Sequence, residues 1–300
     1  MQLSIPVRRP VGRFAAAIAR EALVCWSFTW GDLTATVIPA TTFALAAWAH
    51  SGRSAAALPG IVLSCLIYFW LYIYTFNLSN QLTGIEEDRH NKPHRPLVSG
   101  LIDERGARWR LFAVTTVFLA AGLALGVVEW TLMWVGAWIF HDQLGGARRW
   151  WGKNAAMVAG TVAQLAAAWR IVMPLDASAW TWIAAIAVPL GVLVSLQDLR
   201  DVTGDLAAGR RTAVVVLGDR NARWLFGIAF AGYPVALDVL LYRHAGLAAQ
   251  LLGGIAAAMS LTISWRVLRL RDRHADNITY VLYTCWYCVT LASAIPALAR

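Results

Sequence analysis

The sequence predicts an all-α fold, a polytopic membrane protein of about nine transmembrane helices, and three observations carry that reading. Of the 300 residues 59% are hydrophobic and 14% charged, with a mean hydropathy of +0.55. A soluble chain averages roughly 45–50% apolar and about 25% charged. The apolar residues gather in nine stretches, near 31–49, 56–82, 108–127, 130–147, 154–170, 178–199, 221–241, 246–266 and 277–297, close to the ~20 residues that cross a bilayer. When the loops are numbered alternately, 22 of the 26 Lys and Arg residues fall on one side. These features exclude a disordered chain, a disulfide scaffold and an ordinary cytosolic enzyme.

Each element follows in order. Residues 1–30 carry Arg8, Arg9, Arg13 and Arg20 and read as a basic amphipathic segment lying at the membrane surface, with no cleavable signal. Residues 31–300 form a single helical domain. Its fourth and fifth stretches are the least regular, interrupted by Gly145, Gly146, Arg148, Arg149 and Lys153. Basic residues flanking spans stay inside. The amino terminus and the loops at 83–110 and 200–223 are therefore expected in the cytoplasm, in the plasma membrane if the source is bacterial. The net charge of +9 is thereby explained without nucleic acid. Cys285 and Cys288, one turn apart in an apolar run, read as packed thiols rather than a redox or metal pair.

Two span ends on the basic side carry polar residues far into apolar helices. In the first, Asn77, Asn80, Gln81, Gly84 and Asp88 fall within about a 100° arc. Pro93 and Pro96 then break the helix into a basic loop. In the second, Asp198, Asp201 and Asp205 share one face, and Gly209, Arg210, Arg211 and Thr212 follow. Carboxylates stacked this way repel one another unless a cation joins them, and ionisable groups at membrane depth mark function. Magnesium suits such oxygen donors and bridges carboxylates to substrate phosphates. Asn77, Lys92, Arg95, Arg210 and Arg211 are candidates to hold the remaining phosphate oxygens. The ligand this describes has a diphosphate head and a long hydrocarbon tail, as a polyprenyl diphosphate has. The expected partners are that substrate and membrane lipids, with no obligate protein partner.

At these residues the chain resembles the UbiA superfamily of intramembrane prenyltransferases. That resemblance implies nine helices around a central lipid-accessible cavity, with two aspartate-rich motifs at the ends of the second and sixth. The second motif, Asp198-x-x-Asp201-x-x-x-Asp205 followed by Gly209-x-x-Thr212 and Gly218, matches closely, and its aspartates are carried over as magnesium ligands. The first departs: Gln81 and Gly84 stand where many members have acids, leaving Asn80 and Asp88 aligned. That form, together with His141-Asp142-Gln143-Leu144-Gly145-Gly146, looks like the branch of transmembrane terpene cyclases. The resemblance implies a magnesium ligand set of Asn80, Asp88, Asp198, Asp201 and Asp205, of which Asp88, Asp201 and Asp205 are also expected to be catalytic.

The chain also carries 16 tryptophans. Trp109, Trp150, Trp151, Trp180 and Trp182 read as interfacial. Tyr74, Trp134, Trp138, Trp169 and Trp286 lie within spans, where aromatic faces could stabilise a migrating cation or simply fill the bundle. His141 and Asp142 read either as a helix end reaching headgroups or as a catalytic pair that accepts a proton, polarises water or orients the diphosphate ligands. The expected activity is magnesium-dependent ionisation and cyclisation of a C15 or C20 substrate, farnesyl or geranylgeranyl diphosphate, with diphosphate released. The alternative is transfer of the prenyl chain to an aromatic or other acceptor.

Overall fold

A computed structural model of the chain describes residues 10–299, with side chains from Phe14 onward. Residues 1–9, with Arg8 and Arg9, lie outside it, as does Arg300. Among the described residues the fold is helical throughout: α1 Pro10–Thr29, α2 Val37–Ser51, α3 Leu58–Thr83, α4 Ile85–Asn91, α5 Glu104–Ala124, α6 Val128–Trp138 and α7 Trp150–Arg170. Then come α8 Ala177–Leu193, α9 Asp198–Ala207, α10 Ala213–Leu217, α11 Asp219–Leu237, α12 Leu247–Arg269, α13 Arg273–Ala292 and α14 Ala294–Leu298. Helices occupy all nine apolar stretches. Six helical stretches among the described residues are long and apolar enough to cross a membrane, one of them running from Ala177 through α9 to Ala207. The others are short or interrupted: α2 has 15 residues, α6 has 11 and is prolonged by a π-helical turn, and α7 carries Lys153.

Local chemistry sets the boundaries. Asp103, Asp176 and Asp272 cap α5, α8 and α13, accepting amides three residues on at 2.8–2.9 Å, which satisfies donors a helix start leaves unpaired. Two prolines sit inside helices, where each deprives the carbonyl four residues earlier of its partner. The carbonyl freed by Pro189, on Ala185, accepts from the Tyr233 hydroxyl. The carbonyl freed by Pro234, on Phe230, accepts from Ser260 Oγ at 2.6 Å. Neighbouring helices thus supply hydroxyls where lipid would leave a polar group stranded.

The main helices close into a ring. α2 packs on α3, α3 on α5, α5 on α6, α6 on α7, α7 on α8, α8 on α11, α11 on α12, α12 on α13, and α13 returns to α2. Outward faces are apolar, with Leu63, Ile67, Val188, Ile228 and Leu251 exposed to the surroundings. At one end of the ring α4 packs against α9, and this contact brings the two polar runs together.

Two sequence expectations are corrected. Arg223, expected in a basic loop, is buried; it holds Asp276 through two guanidinium nitrogens at 2.9 and 2.7 Å and binds the carbonyls of Val267 and Leu270. It ties α11 to the α12–α13 turn. Trp182, expected at the interface, is buried edge-on to Tyr242. Hydropathy locates a helix but not which of its faces meets lipid.

Candidate active site

The first polar run begins near the end of α3. Asn77 Nδ2 donates to the Phe28 carbonyl at 2.7 Å and to Asp32 Oδ2 at 2.8 Å, pinning α3 to the turn after α1. In α4 Asp88 is buried, and both its oxygens accept from Arg95 Nη1, at 2.9 and 2.8 Å. The same nitrogen donates to Asn80 Oδ1 at 3.3 Å, and Asn80 Nδ2 donates to Asp142 Oδ1 at 3.2 Å. Asp142 also accepts from His141 Nδ1 at 2.6 Å. The π-helical turn Ile139–Gln143 carries this dyad against the first motif. His141 and Asp142 are therefore wired into the polar site rather than reaching toward headgroups.

The second run lies on α9. Lys153 donates to Asp198. Asp201 lies 3.6 Å from Lys92 and 3.7 Å from Arg200. Asp205 accepts from Thr212 Oγ1 at 3.1 Å, and Arg210 pairs with Glu87 at 2.5 Å. Glycine makes the approach of the motifs possible. A Cβ on Gly204 would fall 2.2 Å from Asn91 Nδ2, the group that donates to the Asp201 carbonyl at 3.2 Å.

Both motifs face one cavity of about 830 Å³. Its walls carry the oxygen donors Asn80, Asp201 and Asp205 and the cations Lys92, Arg95, Lys153, Arg200 and Arg210. Burial pushes the Lys92 ammonium below the ordinary lysine range, and Arg95 beside it adds to that against the pull of Asp201. Burial opposes the charge of Arg95 too, but the charge and hydrogen bonds of Asp88 hold its guanidinium above the ordinary range.

The acids do not form a ready cage. Among the described residues no three carboxylate, imidazole or thiol groups gather as a metal site; each acid of the expected set except Asp205 is paired with a cation. Asp88 and Asp198 sit behind Arg95 and Lys153 rather than on the cavity wall. The repulsion within the stripe is relieved by the protein's own cations. The donor set nonetheless fits a hard divalent ion. Asn80, Asp201 and Asp205 offer oxygens to the cavity, and Asp198 Oδ2 and Asp142 Oδ2 are buried with no hydrogen-bond partner.

Some expected residues lie elsewhere. Arg211 turns away from the cavity, because it occupies an extended segment between Arg210 and Thr212 and alternation sends it outward. None of the five aromatic candidates lines the cavity. Trp134 stacks on Tyr72 at 4.3 Å, and Trp138 is buried in the same core. Trp169 packs between Phe43 and His50, Trp286 among Phe230, Tyr233 and Tyr283, and Tyr74 against Phe28 and Trp70. Large rings are what the interior of a helix ring requires. Phe28, Trp30, Phe76 and Tyr280 line the cavity instead.

The sequence reading missed several site residues. Glu87 and Arg200 lie within the motifs, but only the fold shows their direction. Lys153 carries a usable signal, a lone lysine at the start of an apolar helix. Tyr280, 3.9 Å under the Arg200 guanidinium, carries none.

A ring of membrane helices with carboxylates and cations over one chamber defines a class: intramembrane proteins that take a phosphorylated, hydrophobic ligand. The profile of the UbiA prenyltransferase family matches residues 36–288, and the chain belongs to that family. It is 42% identical over 297 residues to a protein named Somaliensene A/B synthase from Streptomyces somaliensis, across 97% of both chains. With a protein named Diterpene cyclase eriG from Hericium erinaceus it shares 38% identity over 92% of this chain and 89% of that one. The fold matches a UbiA homolog from Archaeoglobus fulgidus, solved with GPP and Mg2+, at a TM-score of 0.63 and 14% identity, over 86% of this chain and 96% of that one.

Proposed function

We propose that this chain is an intramembrane terpene cyclase that ionises a prenyl diphosphate of 15 or 20 carbons, closes the allylic cation into rings and releases diphosphate. The observation that carries the reading is the meeting of both polar motifs on one chamber, in a chain this similar to relatives named as a synthase and a cyclase. The basic loops favour the cytoplasmic face for the motifs, in the plasma membrane if the source is bacterial.

Asp201, Asp205 and Asn80 would hold magnesium at the cavity wall, with Asp88 and Asp198 behind them. When bound, the ion supplies positive charge that makes diphosphate a better leaving group. The chain's own cations do the rest of the binding. In the free protein Arg95 and Arg210 pair with Asp88 and Glu87, while Lys92 and Arg200 share Asp201, so diphosphate binding amounts in large part to an exchange of anionic partners. Asn77 keeps the α1–α2 turn against α3. Asp142 holds His141 Nδ1, which leaves the other ring nitrogen to accept a proton as a cation collapses to an alkene. Phe76 stands beside the chamber, where an aromatic ring steadies positive charge without trapping it, whereas the Tyr280 ring already carries the Arg200 guanidinium.

The test is incubation of purified protein with magnesium and diphosphates of 10 to 25 carbons, with no acceptor added. Cyclic hydrocarbons or alcohols support the reading. Consumption that requires an acceptor supports prenyl transfer instead, the reading favoured by the activity for which the family is described.

A further inference from the structure

Arg211 leads to a second site. Gly209 turns the chain at φ +64°, the short segment Arg210 to Thr212 then runs on, and Arg211 forms a parallel β-bridge with Arg149. Arg210 and Thr212 turn inward to Glu87 and Asp205, so alternation sends Arg211 to the surface. Two backbone hydrogen bonds fix it there. The Arg211 amide donates to the Arg148 carbonyl at 2.8 Å, and the Trp150 amide donates to the Arg211 carbonyl at 2.9 Å. Arg149 and Arg211 are thereby held on a surface groove of about 310 Å³, shared with Trp150, Trp151 and Val216. The two indoles are 44% and 50% exposed. Among the described residues the side chains of Arg149 and Arg211 have no ion pair and no hydrogen bond, and no acid lines the groove.

We propose that this groove binds the phosphate of an anionic phospholipid. Two guanidiniums in fixed register match one phosphate. Exposed indoles at the start of a membrane helix sit at headgroup depth, and basic pockets beside spans recruit anionic lipid. Val216 on the groove is also exposed, which suits an acyl chain and gives a free phosphate nothing to touch. An occupied groove would hold the Gly209–Thr212 segment from outside while Arg210 and Thr212 hold it from inside. Lipid binding therefore steadies one wall of the main chamber. That coupling rests on the proposed function; the binding itself does not.

The experiment uses the full chain in detergent, equilibrated with equal phosphatidylglycerol and phosphatidylcholine, with retained lipid read by native mass spectrometry. Wild type is expected to retain phosphatidylglycerol in preference. Arg149→Gln/Arg211→Gln is expected to lose that preference by on the order of twentyfold, and Arg149→Lys/Arg211→Lys to keep most of it. A thermal melt checks that each variant is folded; if the Gln pair is not, the comparison of wild type with Trp150→Ser/Trp151→Ser takes its place, with the same loss expected. Equal retention of both lipids by wild type, or an unchanged preference in the folded variant, overturns the site. Displacement of the lipid by millimolar inorganic phosphate overturns the lipid assignment in favour of a free anion. Because no substrate is present, these outcomes are independent of the cyclase reading. Stimulation of turnover by phosphatidylglycerol vesicles over phosphatidylcholine vesicles, absent in the Gln pair, then reads the coupling.

Discussion

Gly204→Ala tests whether the two motifs must touch for the site to work. The new methyl would lie 2.2 Å from Asn91 Nδ2, 2.4 Å from its Cγ and 2.6 Å from its Oδ1. The shortest of these falls 1.2 Å short of the 3.4 Å at which ordinary contact begins. Asn91 is buried and donates to the Asp201 carbonyl, so it cannot swing aside freely. Overpacking of this kind costs about 1–3 kcal/mol. Loss of the hydrogen bond adds about 1 kcal/mol, and alanine returns up to about 1 kcal/mol of helix propensity. The net is about 1–3 kcal/mol, a modest drop in Tm. The effect on chemistry is larger, because α4 and α9 must part by about an ångström and carry Asp88 and Lys92 away from Asp201 and Asp205. A shift of that size costs roughly 100-fold. The assay is kcat/KM for diphosphate release alongside a thermal melt. Asn91→Ala in the Gly204→Ala background removes all three clashing atoms and is expected to restore most of the activity, a coupling above about 1 kcal/mol. Wild-type activity in Gly204→Ala, or no recovery in the double variant, would refute the reasoning.

Three further outcomes follow. Asp201→Asn and Asp205→Asn keep side-chain shape while removing charge, and each is expected to lower turnover by about 10²–10³-fold with little change in Tm. Arg210→Gln should raise the KM for diphosphate about tenfold, while Arg211→Gln in micelles free of anionic lipid should leave it within about twofold, because only Arg210 faces the chamber. Arg223→Met strands buried Asp276 and should cost about 3–5 kcal/mol, read as a fall in Tm; Arg223→Met/Asp276→Leu should recover much of it.

The positions of the spans were legible because apolar length is a one-dimensional signal. α2, α6 and α7 fall short of crossing on their own terms, yet their stretches are still visible as breaks in polarity. The acids of α9 were legible for the same reason, since carboxylates at helical spacing in an apolar chain have few uses. What satisfies those acids was not. The stripe asked for a cation, and the protein supplies Lys153 and Lys92 from two other segments, pairings that only ring closure produces, alongside Arg200 from α9 itself. The outward turn of Arg211 was hidden because adjacent arginines read as one basic cluster until the backbone is known to be extended. The tryptophans misled in a different way. Residue type shows affinity for an apolar setting, but a packed core and a chamber wall are both apolar. Trp169 and Trp286 fill the former, while Phe76 and Tyr280 line the latter.

The central claim is that both motifs hold one diphosphate through one divalent-ion centre. Electron paramagnetic resonance of Mn2+ bound to the protein with an unreactive thiolo-diphosphate analogue of the prenyl substrate tests it most directly. The account predicts phosphorus hyperfine coupling that is lost or sharply weakened in Asp201→Asn and again in Asp88→Asn. Coupling that survives unchanged in Asp88→Asn, or Mn2+ that binds without sensing phosphorus at all, would contradict it.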